Sequence, residues 1–388
     1  AVIITSLAFA ASPAVARTGF ETWLKKFRRK ATRLGFSERT LEASLKGAEF
    51  LPKVVANDSR QAEVAKPLQD YLASAASGAR LSGGQKALKK YNNTLSKIER
   101  TYGVEKEVLT AIWGMESAYG GFRGTLPVFS TLSTLAFEGR RRELFEAELL
   151  AALQIVEAGH ATPAEMRGSF AGAMGHTQFM PSTYQRHAQD FDGTGHANIW
   201  GDDPTDALAS TAQLLKAEGW RKGQPCAVEV TLPHGFDLAL TGRIFPRKTR
   251  DWQRLGVTTA SSAKLADHGN GALILPAGPE GPVFMVYNNF HVIKKYNYAD
   301  SYAIGVGHLS DLLAGRGKIR SGFPQNPWGM STRERQALQQ RLNDRGFSAG
   351  NPDGVIGEKG RAAICAYEQS RGLPVTGVPS KALLASLG

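Results

Sequence analysis

Cysteine is nearly absent: Cys226 and Cys365 are the only two in 388 residues. That excludes a disulfide-stapled scaffold. The two fall in different parts of the chain, so two buried free thiols are expected, with a bridge open only in an oxidising compartment. Beyond the first residues no apolar run is long enough to cross a bilayer. Tandem repeats and low-complexity tracts are also missing. Acidic residues are the minority charge, 35 Asp and Glu against 47 Lys and Arg, for a formal net charge of +12. Such an excess suits an anionic partner: nucleic acid, an acidic membrane surface or an acidic cell-wall polymer. It equally suits a surface that is merely soluble. With 42% apolar and 21% charged residues the chain is globular rather than disordered, and its length allows two or three domains.

The first 16 residues, AVIITSLAFAASPAVA, carry no charge and end in Ala-Val-Ala. They resemble the apolar core and cleavage site of a signal peptide, so cleavage is expected after Ala16, with a soluble, periplasmic chain from Arg17. No cysteine follows that site, and no lipid anchor is expected. Downstream the pattern is mainly helical. Phe20, Trp23, Leu24, Phe27 and Ala31 recur at helical spacing, with basic residues opposite. GFSERTLEASLKG predicts a second helix, capped by Ser37 and stopped by Gly47. Further helices are expected over 60–75, 83–101, 106–119, 139–158, about 204–219 and 301–313. Between about 222 and 290, the β-branched runs CAVEVTLP, ALILPAG and PVFMVYNNF predict short strands. Residues 314–330, rich in Gly and Pro, read as a linker, and 331–388 as a small separate domain. The expected fold class is mainly α (α+β): a helical body over 17–313 with a β-rich insertion, then a C-terminal helical module.

One stretch resists a bland description. In LTAIWGMESAYGGFRG, Leu109 to Gly124, Glu116 is set among apolar and small residues, and no basic residue appears before Arg123. A charge there costs free energy unless it is paired or protonated. Glu116 is either a structural residue, bonded to backbone N–H groups or to Arg123, or a working acid. A carboxyl whose pKa is raised by its surroundings can donate a proton to a leaving oxygen. Glycoside cleavage needs such an acid and usually a second carboxylate, yet none lies close to Glu116 on that helix face. The loop GSFAGAMGHTQFMPS adds a second clue. Its small residues let a ligand approach the backbone, Ser169 and Gln178 offer hydrogen bonds, and Met174, Phe179 and Met180 offer apolar surface. Tight helix–loop packing is the competing explanation.

Taken in order, AIWGMESAYG, GSFAGAMGHTQFMPSTY and NNFHVIKKYNYADSYAIGVGHLSDLL resemble the lytic murein transglycosylases of the B type, over roughly Phe20 to Leu313. The resemblance implies a lysozyme-like helical core. It also implies non-hydrolytic cleavage of the β-1,4 bond between N-acetylmuramic acid and N-acetylglucosamine in peptidoglycan, leaving a 1,6-anhydromuramic end. In that family a single glutamate is acid and then base, and Glu116 stands at its position. The muramic N-acetyl group replaces the second carboxylate, a substrate-assisted exception to the paired rule. By the same resemblance Ser169, Gln178, Tyr296, Asn297 and Tyr302 line the glycan cleft; tyrosine faces suit sugar rings. Arg140 and Arg141 either contact the acidic lactyl and peptide groups of the substrate or, with Arg142 paired to Glu146, sit on a solvated helix face. No cofactor, metal or nucleic acid is expected. DFDGTGHANIWGDDPTD partly matches a calcium loop, with Asp190, Asp192 and Thr194 at alternating positions. Gly201 stands where a bidentate glutamate belongs, so Asp203 or Asp206 would have to substitute, and a simple turn is favoured.

The C-terminal stretch from Arg335 resembles the peptidoglycan-binding three-helix module, with Leu338, Leu342, Ile364, Tyr367 and Leu373 as its core. Both resemblances name one polymer, the glycan strands of peptidoglycan, and give the +12 charge an anionic partner. Two other readings stay open: a hydrolytic muramidase in which a distant carboxylate activates water, and a non-catalytic wall-binding protein.

Overall fold

A computed structural model of the protein describes residues 13–61, 66–243 and 245–388. The leader expected over 1–16 lies mostly outside the described residues. The chain divides into two compact units: residues up to Gln61 with Gly120–Ser210, and Ala62–Tyr119 with Thr211–Gly388.

In the first unit, helix Pro13–Arg33 buries Phe20, Phe27 and Ala31, the stripe visible in the sequence. Glu38–Leu45 follows, with Ser37 Oγ accepting from the Thr40 N–H as its N-cap. Pro52–Gln61, Val128–Glu138, Arg142–Glu157 and Pro181–His187 complete the helical layer. Val128–Glu138 has no sequence signal for a physical reason. Every residue from Val128 to Ala136 is buried, so the helix has no polar face and no amphipathic period. Its Ser130 and Thr134 hydroxyls accept from the Glu49 and Leu51 N–H groups. Strands Leu126–Pro127 and Arg167–Gly168 pair antiparallel.

In the second unit, helices Leu68–Ala75, Gly78–Lys90, Lys106–Ser117 and Asp300–Leu313 pack together, with Asn92–Tyr102 alongside. The β-rich insertion is a five-stranded antiparallel sheet in the order Arg247–Lys248, Asn270–Ile274, Val283–Val286, Ala227–Thr231, Thr258–Thr259. The strand expected through Phe290 stops at Val286, and Asn288–Tyr296 is a helix. Three helices, Thr332–Asp344, Glu358–Ser370 and Lys381–Ser386, form the C-terminal module. A capping box between Ser331 and Glu334 opens the first of them. Leu338, Leu342, Ile364 and Tyr367 are buried as expected, but Leu373, beyond the end of its helix, is 43% exposed and outside that core. The module shares one apolar cluster with the sheet, in which Trp252, Met285 and Tyr287 join Trp328, Met330, Leu338 and Ile364. Both cysteines are free; Cys226 is buried, whereas Cys365 is only partly so. Among the described residues no helix is long and apolar enough to cross a membrane.

Glycines set how closely the helices around Glu116 approach. Gly83 and Gly84 on one helix and Gly114 on another leave a slot for the Tyr119 ring. The Tyr119 O–H donates to the Arg80 carbonyl at 2.7 Å, which fixes the ring there. A Cβ at Gly114 would lie 2.5 Å from the Tyr119 hydroxyl and 2.6 Å from its ring. In an open helix Gly→Ala stabilises by about 1 kcal/mol. Gly114→Ala is expected to do the opposite and destabilise by about 1–3 kcal/mol through overpacking; urea denaturation of the two forms checks the sign.

Candidate active site

Glu116 occupies the last turn of Lys106–Ser117, whose residues Val108 to Gly114 are all buried. The helix stops at Ser117, earlier than the Gly120-Gly121 pair suggested. Ala118 at φ 48° and Tyr119 at φ 61° turn left-handed, followed by Gly120 at φ 86°. Left-handed backbone costs a non-glycine residue roughly 1–2 kcal/mol, so something must hold it. Tyr119 does so through its bond to Arg80 and an edge contact with the Trp113 ring at 5.7 Å. The strained exit thus leaves Glu116 projecting from a rigid helix end.

Burial raises the Glu116 pKa to about 7, opposed by a hydrogen bond from Tyr302 and by the positive charge of Arg80. The Tyr302 O–H donates to Oε1 at 2.5 Å. Arg80 does not spend its donors on the acid: Nη1 donates to the Gly114 carbonyl at 2.7 Å and lies 3.7 Å from Met115 Sδ. Burial, and then the Glu116 charge, keeps the Tyr302 hydroxyl well above the ordinary tyrosine range, so it stays a donor. Tyr71 is pushed up to about 12 for the same two reasons. The helix carrying Tyr302 comes this close because Gly305 faces Tyr71 and Met115; a Cβ there would lie 2.9 Å from the Tyr71 ring. With Oε1 accepting from Tyr302, Oε2 is left to carry the acidic proton. Such a carboxyl can give up a proton near neutrality and take one back.

Of the expected site residues, the second unit brings Tyr302 and Tyr296 together near Glu116. Their rings stack at 6.3 Å with planes 3° apart. Asn297, next in the chain and exposed, accepts from the Ala299 N–H at 3.2 Å. Ser169, Gln178, Arg140 and Arg141 belong to the first unit. There the Ser169 hydroxyl accepts from Ala171 and Ala173 N–H groups, and Gln178 Nε2 donates to the Arg123 and Gly175 carbonyls at φ 52°. Met174 and Phe179 do not offer the apolar surface expected of them. They are buried, paired backbone to backbone across the loop. Arg140 and Arg141 share the buried carboxylate of Asp58, and Arg140 also bonds Glu138. Arg142 does not take Glu146. It donates to the Ala136 and Phe137 carbonyls, and Lys30 pairs with Glu146. Arg123 holds the Trp200 and Gly201 carbonyls and Asp202. Tyr71 and Arg80 carried no sequence signal, because neither stands in a motif; the Gly83-Gly84 pair is the only hint that something packs closely there.

In the first unit the carboxylate oxygens of Asp190, Asp192 and Asp206 lie within 4.8 Å of one another. Asp206, rather than Asp203, completes the group; Asp203 instead caps Thr205. Asp206 is buried, and that burial raises its pKa although Asn198, Phe191 and Asp192 N–H groups bond it. Three hard oxygen donors with a desolvated charge are a fitting set for a divalent cation.

Comparison with known proteins identifies the family and the fold. The transglycosylase SLT domain family matches residues 19–311, and the peptidoglycan binding domain family matches 331–387. Membrane-bound lytic murein transglycosylase B of Escherichia coli (strain K12) is 35% identical over 231 residues, covering 58% of this chain and 61% of that protein, less than two thirds of its length. SltB3 of Pseudomonas aeruginosa, solved with NAG-NAM-pentapeptide and with NAG-anhNAM-pentapeptide, is 42% identical, with a TM-score of 0.85 over 95% of this chain and 99% of its own. The Escherichia coli lytic transglycosylase Slt35, solved in complex with calcium, is 30% identical, with a TM-score of 0.63 over 77% of this chain and 93% of its own. The expected fold class is thereby shown: a mainly helical, lysozyme-like body with a small β-rich insertion and a C-terminal helical module.

In a ¹³C NMR titration the Glu116 carboxyl is expected to titrate near pH 7. Tyr302→Phe removes a bond that favours the carboxylate, so the midpoint should rise; an unchanged or lower midpoint would contradict the site as described.

Proposed function

The chain belongs to the transglycosylase SLT domain family, and from that premise we propose that it cleaves peptidoglycan glycan strands without water. The bond broken is the β-1,4 link between N-acetylmuramic acid and N-acetylglucosamine, and the new end is 1,6-anhydromuramic acid. One observation carries this reading: within its own unit the groups acting on Glu116 are Tyr302 and Arg80, neither a carboxylate. Glu116 Oε2 gives its proton to the glycosidic oxygen as the bond breaks. The muramic N-acetyl oxygen attacks the anomeric carbon in place of a protein nucleophile. The Glu116 carboxylate, steadied by Tyr302, then takes the proton from the sugar's C6 hydroxyl, whose oxygen closes on the anomeric carbon and displaces the N-acetyl oxygen. A pKa of about 7 suits both roles, since the acid and carboxylate forms are both accessible near neutrality and each proton moves as the sugar bond breaks or forms.

The other roles in this proposal follow the family resemblance. Tyr296, Asn297 and Tyr302 would contact the glycan beside Glu116, and the family resemblance assigns glycan contacts to Ser169 and Gln178 as well. Asp58 holds the half-exposed Arg140 and Arg141 side by side, and with Glu138 it balances their charge, so any contact with the lactyl and peptide carboxylates would use free guanidinium N–H groups rather than net charge. Residues 1–16 act as an export signal, 17–313 as the catalytic domain, 314–330 as a linker and 331–388 as the wall-binding module, which places the enzyme in the periplasm. The SltB3 ligands contain the sugars this reaction would start from and the anhydro end it would form, which supports the assignment. Asp190, Asp192 and Asp206 would hold a calcium ion that braces their loop; no step of the cleavage runs through it.

Mass spectrometry of soluble products from purified sacculi tests the proposal. Anhydro-ended muropeptides are expected from the wild type, and a loss of at least about 1000-fold in Glu116→Gln, since the only acid–base group is gone. Reducing-ended products would indicate a hydrolase, and sacculi bound without release would indicate a binder.

A further inference from the structure

We propose that Arg243 is a positioning residue for this reaction, fixing the first turn of the helix that carries Tyr302 and tying that turn to the C-terminal module. The inference rests on the function proposed for Glu116. Arg243 comes from the β-rich insertion, and its side chain is only 12% exposed. It pairs with Asp300 at 3.4 Å and with Glu358. Asp300 is the first residue of Asp300–Leu313, two positions before Tyr302, and Glu358 is the first residue of Glu358–Ser370 in the module. Lys294, also nearly buried, pairs with the same Asp300 oxygen, Oδ1.

The result is a chain of alternating charge, Glu358–Arg243–Asp300–Lys294, with His291 beside it. Burial, and then the two cations, holds His291 below its ordinary pKa. Buried ion pairs are poor sources of stability, and this contact already has the apolar cluster that joins the sheet to the module. What the ion chain adds is direction. Asp300 puts a negative charge in the first turn, at the positive end of the Tyr302 helix, and Arg243 fixes where Asp300 can sit. Tyr302 has no slack to absorb a shift, because its hydroxyl is 2.5 Å from Glu116 and Gly305 one turn on lies flush against Tyr71. The charged and titratable groups facing Glu116 are Tyr302, Arg80 and Tyr71. Of these only Tyr302 is on the helix that Arg243 holds. Loosening that turn removes a bond that favours the carboxylate, so the acid should lose its proton at higher pH.

The test uses the full chain and a short soluble strand of alternating N-acetylglucosamine and N-acetylmuramic acid. Arg243→Met is expected to lower kcat about tenfold, within the range of network substitutions, with KM little changed. The basic limb of its pH–rate profile should move upward. Arg243→Lys should recover part of both effects, and it carries the test if the methionine variant melts below the assay temperature. Glu358→Gln should shift the limb in the same direction by less. A wild-type kcat and limb in Arg243→Met would overturn the proposal, as would a loss of kcat that tracks a lower Tm with the limb unmoved. Wild-type behaviour in Glu358→Gln would overturn the tie to the module. No anhydro-ended product from the unmutated chain would overturn the proposed function, and this inference with it.

Discussion

The hydrogen bond from Tyr302 to Glu116 is the interaction on which the rest of the arrangement depends. Burial raises the pKa of the acid, and one short donor, helped by the nearby charge of Arg80, opposes that rise and leaves it at about 7. The donor works because it is itself desolvated and cannot ionise. A partly buried acid and a buried phenol thus constrain each other, and the carboxyl ends up poised between giving and taking a proton.

Holding that distance dictates features well away from it. Gly83, Gly84 and Gly114 let two helices close on Tyr119, and Tyr119 in turn fixes the left-handed exit behind Glu116. Gly305 lets the Tyr302 helix lie against Tyr71. Each glycine weakens its helix, and the Ala118–Tyr119 backbone is strained. Stability is given up where position matters and recovered in apolar clusters, of which the one shared by sheet and C-terminal module is the clearest.

Much of this was legible in the chain, but only where the signal is local. Glu116 announced itself because a lone carboxylate among Ile, Trp and Met is costly, and Ser37 because capping is a matter of three residues. For Tyr302 the sequence suggests a cleft residue, and nothing in it marks the partner of an acid 186 residues away. Helix Val128–Glu138 escaped because burial on every face erases periodicity. Met174 and Phe179 read as open apolar surface because a glycine-rich loop folded on itself looks, residue by residue, like one folded around a ligand. Leu373 reads as core by type but lies past its helix. Arg243 gives no sign at all, and Arg80 and Tyr71 none beyond the nearby Gly83-Gly84 pair, since their meaning lies in what approaches them across the fold.

The central claim is that one carboxylate manages both proton transfers and that water takes no part. Cleavage of sacculi in H₂¹⁸O, followed by mass spectrometry of the first soluble fragments, tests it most directly. The account predicts no ¹⁸O in the new chain ends, because the oxygen that closes on the anomeric carbon is the sugar's own. One ¹⁸O atom at each new reducing end would contradict it and would require a second carboxylate to activate water.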